Sequence, residues 1–219
     1  MTDPDTPNPP DQPLEDPSGK RLQRIWSHYG PCLARETINY RVVDWASEES
    51  QQTRFAVLAD SVPLNGRSLL DVGCGLGDLL TWLNANGYPV DYTGVDILEE
   101  MVQRARQRHP EGRFVQGDPF AAGLFGPGSF DVVFCSGTFN LNMGDNRPFL
   151  AQSIRPLLSL AREHLVFNLL HSRAHWGTMG DYFHFDPAEV RAMLDPLDLE
   201  YRIREDYLPN DFTVICRAR

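Results

Sequence analysis

The sequence predicts an α/β fold in which a mostly parallel sheet carries helices on both faces and ends in an antiparallel hairpin. From residue 68 onward, short apolar runs alternate with amphipathic stretches, as parallel strands alternate with crossover helices. The last two strand-like runs, LDLEYRIRED and DFTVICRAR, are joined by the turn-forming YLPN and favour a hairpin. We expect one domain, because 219 residues suffice for one substantial core.

The composition is that of an acidic globular protein, with 42% hydrophobic residues and a net charge of −10. Such a charge does not attract nucleic-acid backbones at long range and disfavours nucleic acid as a partner. No stretch is long and apolar enough to span a membrane, and the N-terminus lacks the pattern of a secretory signal. The four cysteines have no C-x-x-C spacing, which favours buried free thiols in a reducing cytoplasm over disulfides or a metal site.

The N-terminal part divides into a tail and a helical cap. Residues 1–17 hold six prolines and five acids, so we predict a disordered tail over residues 1–19. Residues 20–64 form the predicted cap, which contains the periodic stretches RLQRIWSHYG and SEESQQTRFAVLADSV. Ser47 is placed to cap the second of these helices.

The alternating part follows in chain order. The predicted strands are SLLDV, DYTGVD, RFVQGD, FDVVFCSG and HLVFNLL. The predicted helices between them are GDLLTWLNANG, ILEEMVQRARQRH and RPFLAQSIRPLLSLARE. With the hairpin, this order gives a sheet of seven strands, and residues 20–219 form the single predicted domain.

Polar residues stand at the carboxyl ends of the first four predicted strands, where open parallel sheets bind their ligands. These residues are Asp71, Asp96, Asp118 and Ser136. A glycine-rich turn, Gly73 to Gly77, follows the first strand and allows a ligand to approach the backbone closely. Asp96 stands 21 residues after Gly75, a spacing that suits a carboxylate accepting from ribose hydroxyls.

Asp78 distinguishes between two nucleotide ligands. The dinucleotide fingerprint G-x-G-x-x-G requires glycine at this position, where the pyrophosphate would lie. Carboxylates at Asp71 and Asp78 repel a diphosphate but suit a sulfonium cation with an ammonium group.

Four sequence blocks resemble those of the class I S-adenosylmethionine-dependent methyltransferases and occur in the order LDVGCGLGDL, YTGVDI, RFVQGDPF and FDVVFCSGTFNL. VVDWASEESQQTRF and DYLPNDFTV are similar to a group of small bacterial members without assigned substrates. The resemblance implies a Rossmann-like, seven-stranded sheet with an antiparallel last strand. It also implies methyl transfer from S-adenosyl-L-methionine, with S-adenosyl-L-homocysteine as product.

The resemblance places the cofactor along the carboxyl edge of the sheet. The cofactor-binding residues it implies are Asp71, Gly73, Cys74, Gly75, Asp96, Ile97, Met101, Asp118, Pro119, Phe120, Ser136 and Gly137. Asp71 would face the methionine ammonium, Asp96 the ribose diol and Asp118 the adenine amino group. Arg54 is a further candidate, as partner of the cofactor's carboxylate or as a helix-surface arginine. Met101 and Gly77 have packing alternatives.

The acceptor side offers His171, His175 and His184 as candidate bases, because histidine titrates near neutrality. They lie among aromatic residues, including Trp176 and Tyr182, that could form a lid. Any single one of these histidines is more readily explained as a surface or capping residue. We predict methyl transfer to a small or medium-sized acceptor. The alternatives are a non-catalytic cofactor-binding protein, a nicotinamide-dependent oxidoreductase and a nucleic-acid methyltransferase.

Overall fold

One seven-stranded sheet forms the centre of the molecule in the computed structural model, which describes residues 17–121, 123–174 and 180–218. Its strands are β1 (Ser68–Val72), β2 (Asp91–Asp96), β3 (Arg113–Gln116), β4 (Phe130–Cys135), β5 (Ala161–Leu170), β6 (Glu200–Arg204) and β7 (Asp211–Arg217). Their order is β3-β2-β1-β4-β5-β7-β6. Strand β7 is antiparallel to both neighbours, whereas the pairs from β3 to β5 are parallel. The predicted fold, with its antiparallel last strand, is confirmed.

Seven helices accompany the sheet in the described residues. They are α1 (Pro17–Arg35), α2 (Asn39–Val42), α3 (Glu48–Ser61), α4 (Asp78–Ala85), α5 (Glu99–Arg108), α6 (Arg147–Leu160) and α7 (Pro187–Leu194). Helix α1 begins inside the range predicted as tail, because proline is readily accommodated at a first helical position. The rest of that predicted tail, residues 1–16, lies outside the described residues. No helix in the described part of the chain is long and apolar enough to cross a membrane.

Two elements differ from the sequence prediction. Residues 161–163 belong to β5 instead of the preceding helix, because Ala161 pairs with Phe130 and extends the ladder. Helix α7 was not predicted, although Asp186 and Pro187 form its start. The Asp186 side chain accepts a hydrogen bond from Ala188 N at 2.8 Å, as an N-cap residue does.

Apolar side chains pack on both faces of the sheet. Helices α3, α4 and α5 cover one face, with Leu58 and Leu83 in that core. Helices α6 and α7 cover the other face, with Ile154 and Val190 in that core. A third cluster, which includes Leu33 and Met101, joins α1 and α2 to α5 and so holds α1 across the carboxyl edge of the sheet.

Candidate active site

A cavity of about 980 Å³, its open mouth included, lies between α1 and the carboxyl edge of the sheet. All four polar residues predicted at the strand ends line it: Asp71, Asp96, Asp118 and Ser136. The topology therefore brings together residues that the sequence places far apart.

The glycine turn forms a close-fitting part of this wall. Gly73 and Gly75 have φ angles of +74° and +53°, which side chains rarely tolerate. An added Cβ would lie 2.9 Å from Thr138 Oγ1 at Gly73 and 2.7 Å from Val43 Cγ1 at Gly75. At Gly77 it would instead meet His109 and Phe114, so Gly77 serves the packing of α4.

Asp96 is held rigidly beside the glycine turn. Its Oδ2 accepts from Gly75 N at 3.0 Å, and its Oδ1 accepts from Leu98 N at 2.9 Å. The side chain is buried, and burial raises the pKa of its carboxyl. Each oxygen keeps a lone pair, so the group can accept further hydrogen bonds from a diol.

Asp71 is a buried acid at the end of β1, only 4% exposed. Burial raises the pKa of Asp71 to about 7, although Tyr92 donates its hydroxyl to Oδ2 at 2.7 Å and opposes the shift. Asp78 also lines the cavity and accepts from Gln51 and Arg108. A cationic group placed here would be stabilised by both acids.

The end of the cavity at β2 and β3 is mostly apolar, with two charged groups, Asp118 and Arg21. Ile97, Leu98, Met101, Pro119 and Phe120 line it together with Asp118. Asp118 Oδ1 accepts from Phe120 N at 3.0 Å, and Oδ2 accepts from Arg21 of α1. Arg21, Ile25 and Tyr29 follow one another at four-residue spacing and line the cavity from above. The sequence prediction missed Arg21, because an amphipathic pattern does not say what its face covers.

The other end is formed by the residues after β4. Asn168, fully buried on β5, accepts from Gly137 N and donates to Ser136 Oγ, both at 2.9 Å. The Trp45 ring packs so closely on Gly137 that an added Cβ would lie 3.0 Å from it. Asn168 was also missed, and it fixes the two predicted residues that line this wall. Cys74 lines the cavity next to the glycines.

Arg54 does not line the cavity, so the prediction that it binds the cofactor is wrong. Its guanidinium pairs with Asp211 of β7 and also donates to Ser50. The Trp45 ring lies over it, with 4.4 Å between the guanidinium carbon and the ring centroid. Helix α3 docks so that Arg54 is directed into the core, where it compensates the buried carboxylate of Asp211.

Neither of the two described candidate bases, His171 and His184, lines the cavity. His171 is buried, with Nε2 3.2 Å from Glu205 Oε2 and Nδ1 accepting from Arg173 N. His184 is half-buried outside the lining residues. His175 and Trp176 lie outside the described residues. Of the predicted lid, Tyr182 bonds through its hydroxyl to Asp44, which fastens this segment to the loop after α2.

Comparisons with known proteins agree on one family. Residues 69–159 match the family described as a methyltransferase domain. The putative methyltransferase Rv1506c of Mycobacterium tuberculosis is 31% identical over 158 residues, which is 68% of this chain and 92% of that protein. The phthiotriol/phenolphthiotriol dimycocerosates methyltransferase of the same species is 30% identical over 137 residues, but the match spans only 50% of its length.

A solved structure extends the likeness to the whole fold. Magnesium protoporphyrin IX methyltransferase from Synechocystis PCC 6803, with bound S-adenosylmethionine, superposes with a TM-score of 0.66 at 20% identity. The superposition covers 95% of this chain and 100% of that one.

The fold and the acid-lined cavity at the strand ends define a Rossmann-like enzyme of the nucleotide-cofactor class. The chain belongs to the class I S-adenosylmethionine-dependent methyltransferases. The prediction of methyl transfer with S-adenosylmethionine as donor is thereby confirmed. The residues present fit that cofactor, because acids, glycines and a mostly apolar end meet in one cavity.

Proposed function

We propose that this enzyme methylates a small or medium-sized acceptor, with the cofactor held in the cavity beneath α1. The observation that carries the proposal is the convergence of Asp71, Asp96, Asp118 and Ser136 on one wall. Each lies at or just after the carboxyl end of a different strand, and the four strands are neighbours in the order β3-β2-β1-β4. The two ends of the cavity differ in chemistry as the two ends of the cofactor do.

The proposed binding roles follow from the fixed groups. Asp96 accepts from the ribose diol, since Gly75 N and Leu98 N already hold its carboxylate in place. The apolar end near Ile97 and Phe120 takes the adenine, with Asp118 as acceptor for the amino group. Asp71 faces the ammonium group, which favours the carboxylate form of this acid.

When bound, the cofactor supplies an electrophilic methyl group on a sulfonium. The chain's contribution is to orient the reactants and exclude water, which can supply about 7–11 kcal/mol of the barrier. At the end of the cavity formed after β4, Trp45 packs on Gly137 and closes the wall, and Asn168 fixes Gly137 and Ser136. Because no histidine of the described residues lines the cavity, we propose that positioning is the main contribution.

The acceptor class follows from size and charge. Helix α1 covers the cavity, and the net charge is −10, so a small molecule is favoured over nucleic acid. A cytoplasmic location is proposed with it, because the four cysteines are free, three of them buried.

Two measurements test the proposal. Calorimetry should show binding of S-adenosylhomocysteine and no comparable binding of NAD or NADP. Incubation with cofactor labelled in its methyl group, in a fractionated whole-cell extract, should then label a small molecule. Tighter binding of a dinucleotide, or label found only in nucleic acid, would contradict the proposal.

A further inference from the structure

Arg21 occupies the end of the cavity to which the adenine is assigned. Its guanidinium pairs with Asp118 Oδ2 and lies over two aromatic rings, 5.1 Å from the Phe120 centroid and 4.9 Å from that of Phe149. The Arg21 and Asp118 side chains are only 15% and 16% exposed. The contact is therefore part of the cavity's interior and not a flexible surface pair.

The guanidinium offers the same chemistry as the amino edge of adenine. It is planar, it stacks on aromatic faces, and it donates N–H groups in its own plane to a carboxylate. Asp118 Oδ1 already accepts from Phe120 N, so Oδ2 is the less engaged oxygen for a ligand, and Arg21 pairs with that same oxygen. Adenine on the Phe120 ring would thus need the place and the acceptor that Arg21 holds.

We propose that Arg21 competes with the adenine of the cofactor for Asp118 and Phe120. Binding of the cofactor displaces the guanidinium, and the first turn of α1 moves with it. This inference rests on the proposed function, because it requires the adenine to lie at Asp118. It makes Arg21 a determinant of cofactor affinity that weakens binding.

The other contacts of α1 explain why the displacement is local. Arg24 donates to Asp181 and to the carbonyl of Asn142, and His28 contacts Asp44. None of these contacts involves the residues that line the cavity. They hold the middle of α1 in place while its beginning moves.

Arg24 provides a matched control for the experiment. Arg21→Ala should bind S-adenosylhomocysteine at least about fivefold more tightly than wild type, because the fraction of protein with a free subsite rises. Arg24→Ala removes an ion pair of the same helix outside the cavity, so its affinity should stay within about twofold. Calorimetry gives both affinities, and thermal unfolding establishes that each variant is folded.

The outcomes separate the two proposals. Unchanged or weaker binding by folded Arg21→Ala, or an equal gain in Arg24→Ala, would overturn the competition. Absence of binding to folded wild type would overturn the proposed function itself. A crystal structure of the complex with S-adenosylhomocysteine supplies the second test. It should show the adenine amino group on Asp118 Oδ2 and Arg21 beyond hydrogen-bond distance, whereas an intact Arg21–Asp118 pair would overturn the inference.

Discussion

Arg54 of α3 and Asp211 of β7 form a buried ion pair, with Nε 2.8 Å from Oδ2 across a sequence separation of 157 residues. The two side chains are 1% and 0% exposed. Tyr207 also donates its hydroxyl to Asp211, and Trp45 covers the guanidinium. The pair thus joins the N-terminal helices to the last strand directly behind the Trp45 wall of the cavity.

Replacing one partner of this pair should cost much of the protein's stability. Arg54→Ala leaves the Asp211 carboxylate buried without compensation, so the free energy of unfolding should fall by about 3–5 kcal/mol. Urea unfolding measures this loss in the free energy of unfolding. The double variant Arg54→Ala/Asp211→Ala removes both charges and should lose less than the sum of the two single losses. Additive losses would show that the two groups do not interact.

The residues at the carboxyl edge of the sheet were predictable because their position depends on topology alone. Once the strands are recognised as parallel, their carboxyl ends lie at one edge, and Asp71, Asp96 and Asp118 must line it. The position of these acids can be predicted without knowing how the helices dock on the sheet. Their spacing within short motifs was sufficient to place them at the ends of the strands.

The remaining parts of the site depend on docking between distant segments. Arg54 was a candidate partner for the cofactor's carboxylate, but the direction of its side chain is set by how α3 packs on β7. Arg21 is separated from Asp118 by 97 residues, and no local pattern reports that contact. His171 was a candidate base, but its partner Glu205 follows only after β6, and no local pattern reports that contact.

Asp96→Asn tests the ribose assignment. The amide keeps the size of the side chain but loses the charge and one acceptor oxygen, and charge-assisted hydrogen bonds contribute about 1.5–3 kcal/mol each. We therefore expect affinity for S-adenosylhomocysteine to fall at least about tenfold. Asp91→Asn, at the exposed start of the same strand, is the matched control and should bind like wild type. Equal affinities of the two variants would place the ribose elsewhere.

Asp71 predicts a pH dependence of stability. Its pKa is about 7 in the folded protein, against about 3.9 for an unperturbed aspartate. Between these values the folded state binds more protons than the unfolded state, so this group's contribution is complete below about pH 4 and is lost as pH rises through 7.

Asp71→Asn isolates that contribution, since Asp96 and Asp211 also have raised pKa values and remain in both proteins. The amide still accepts from Tyr92 but never becomes charged. The stability of the variant relative to wild type should therefore rise by at least about 1 kcal/mol between pH 5 and pH 8. Urea unfolding at the two pH values measures it, and a constant difference would show that Asp71 is not the titrating group.

Trp45 and Trp26 lie in contrasting environments, one in the cavity wall and one exposed to solvent. Trp45 lines the cavity, packs on Gly137 and shields the Arg54 guanidinium, whereas Trp26 is 50% exposed on the outer face of α1. Trp45→Ala should admit water to the wall at the sulfonium end and weaken S-adenosylhomocysteine binding at least about fivefold, about 1 kcal/mol. Trp45→Phe keeps an aromatic face and should recover part of this loss. Trp26→Ala should bind like wild type in the same calorimetric titration. If Trp45→Ala also binds like wild type, the cofactor does not reach the wall formed by Gly137, and the sulfonium must lie nearer to the glycine turn.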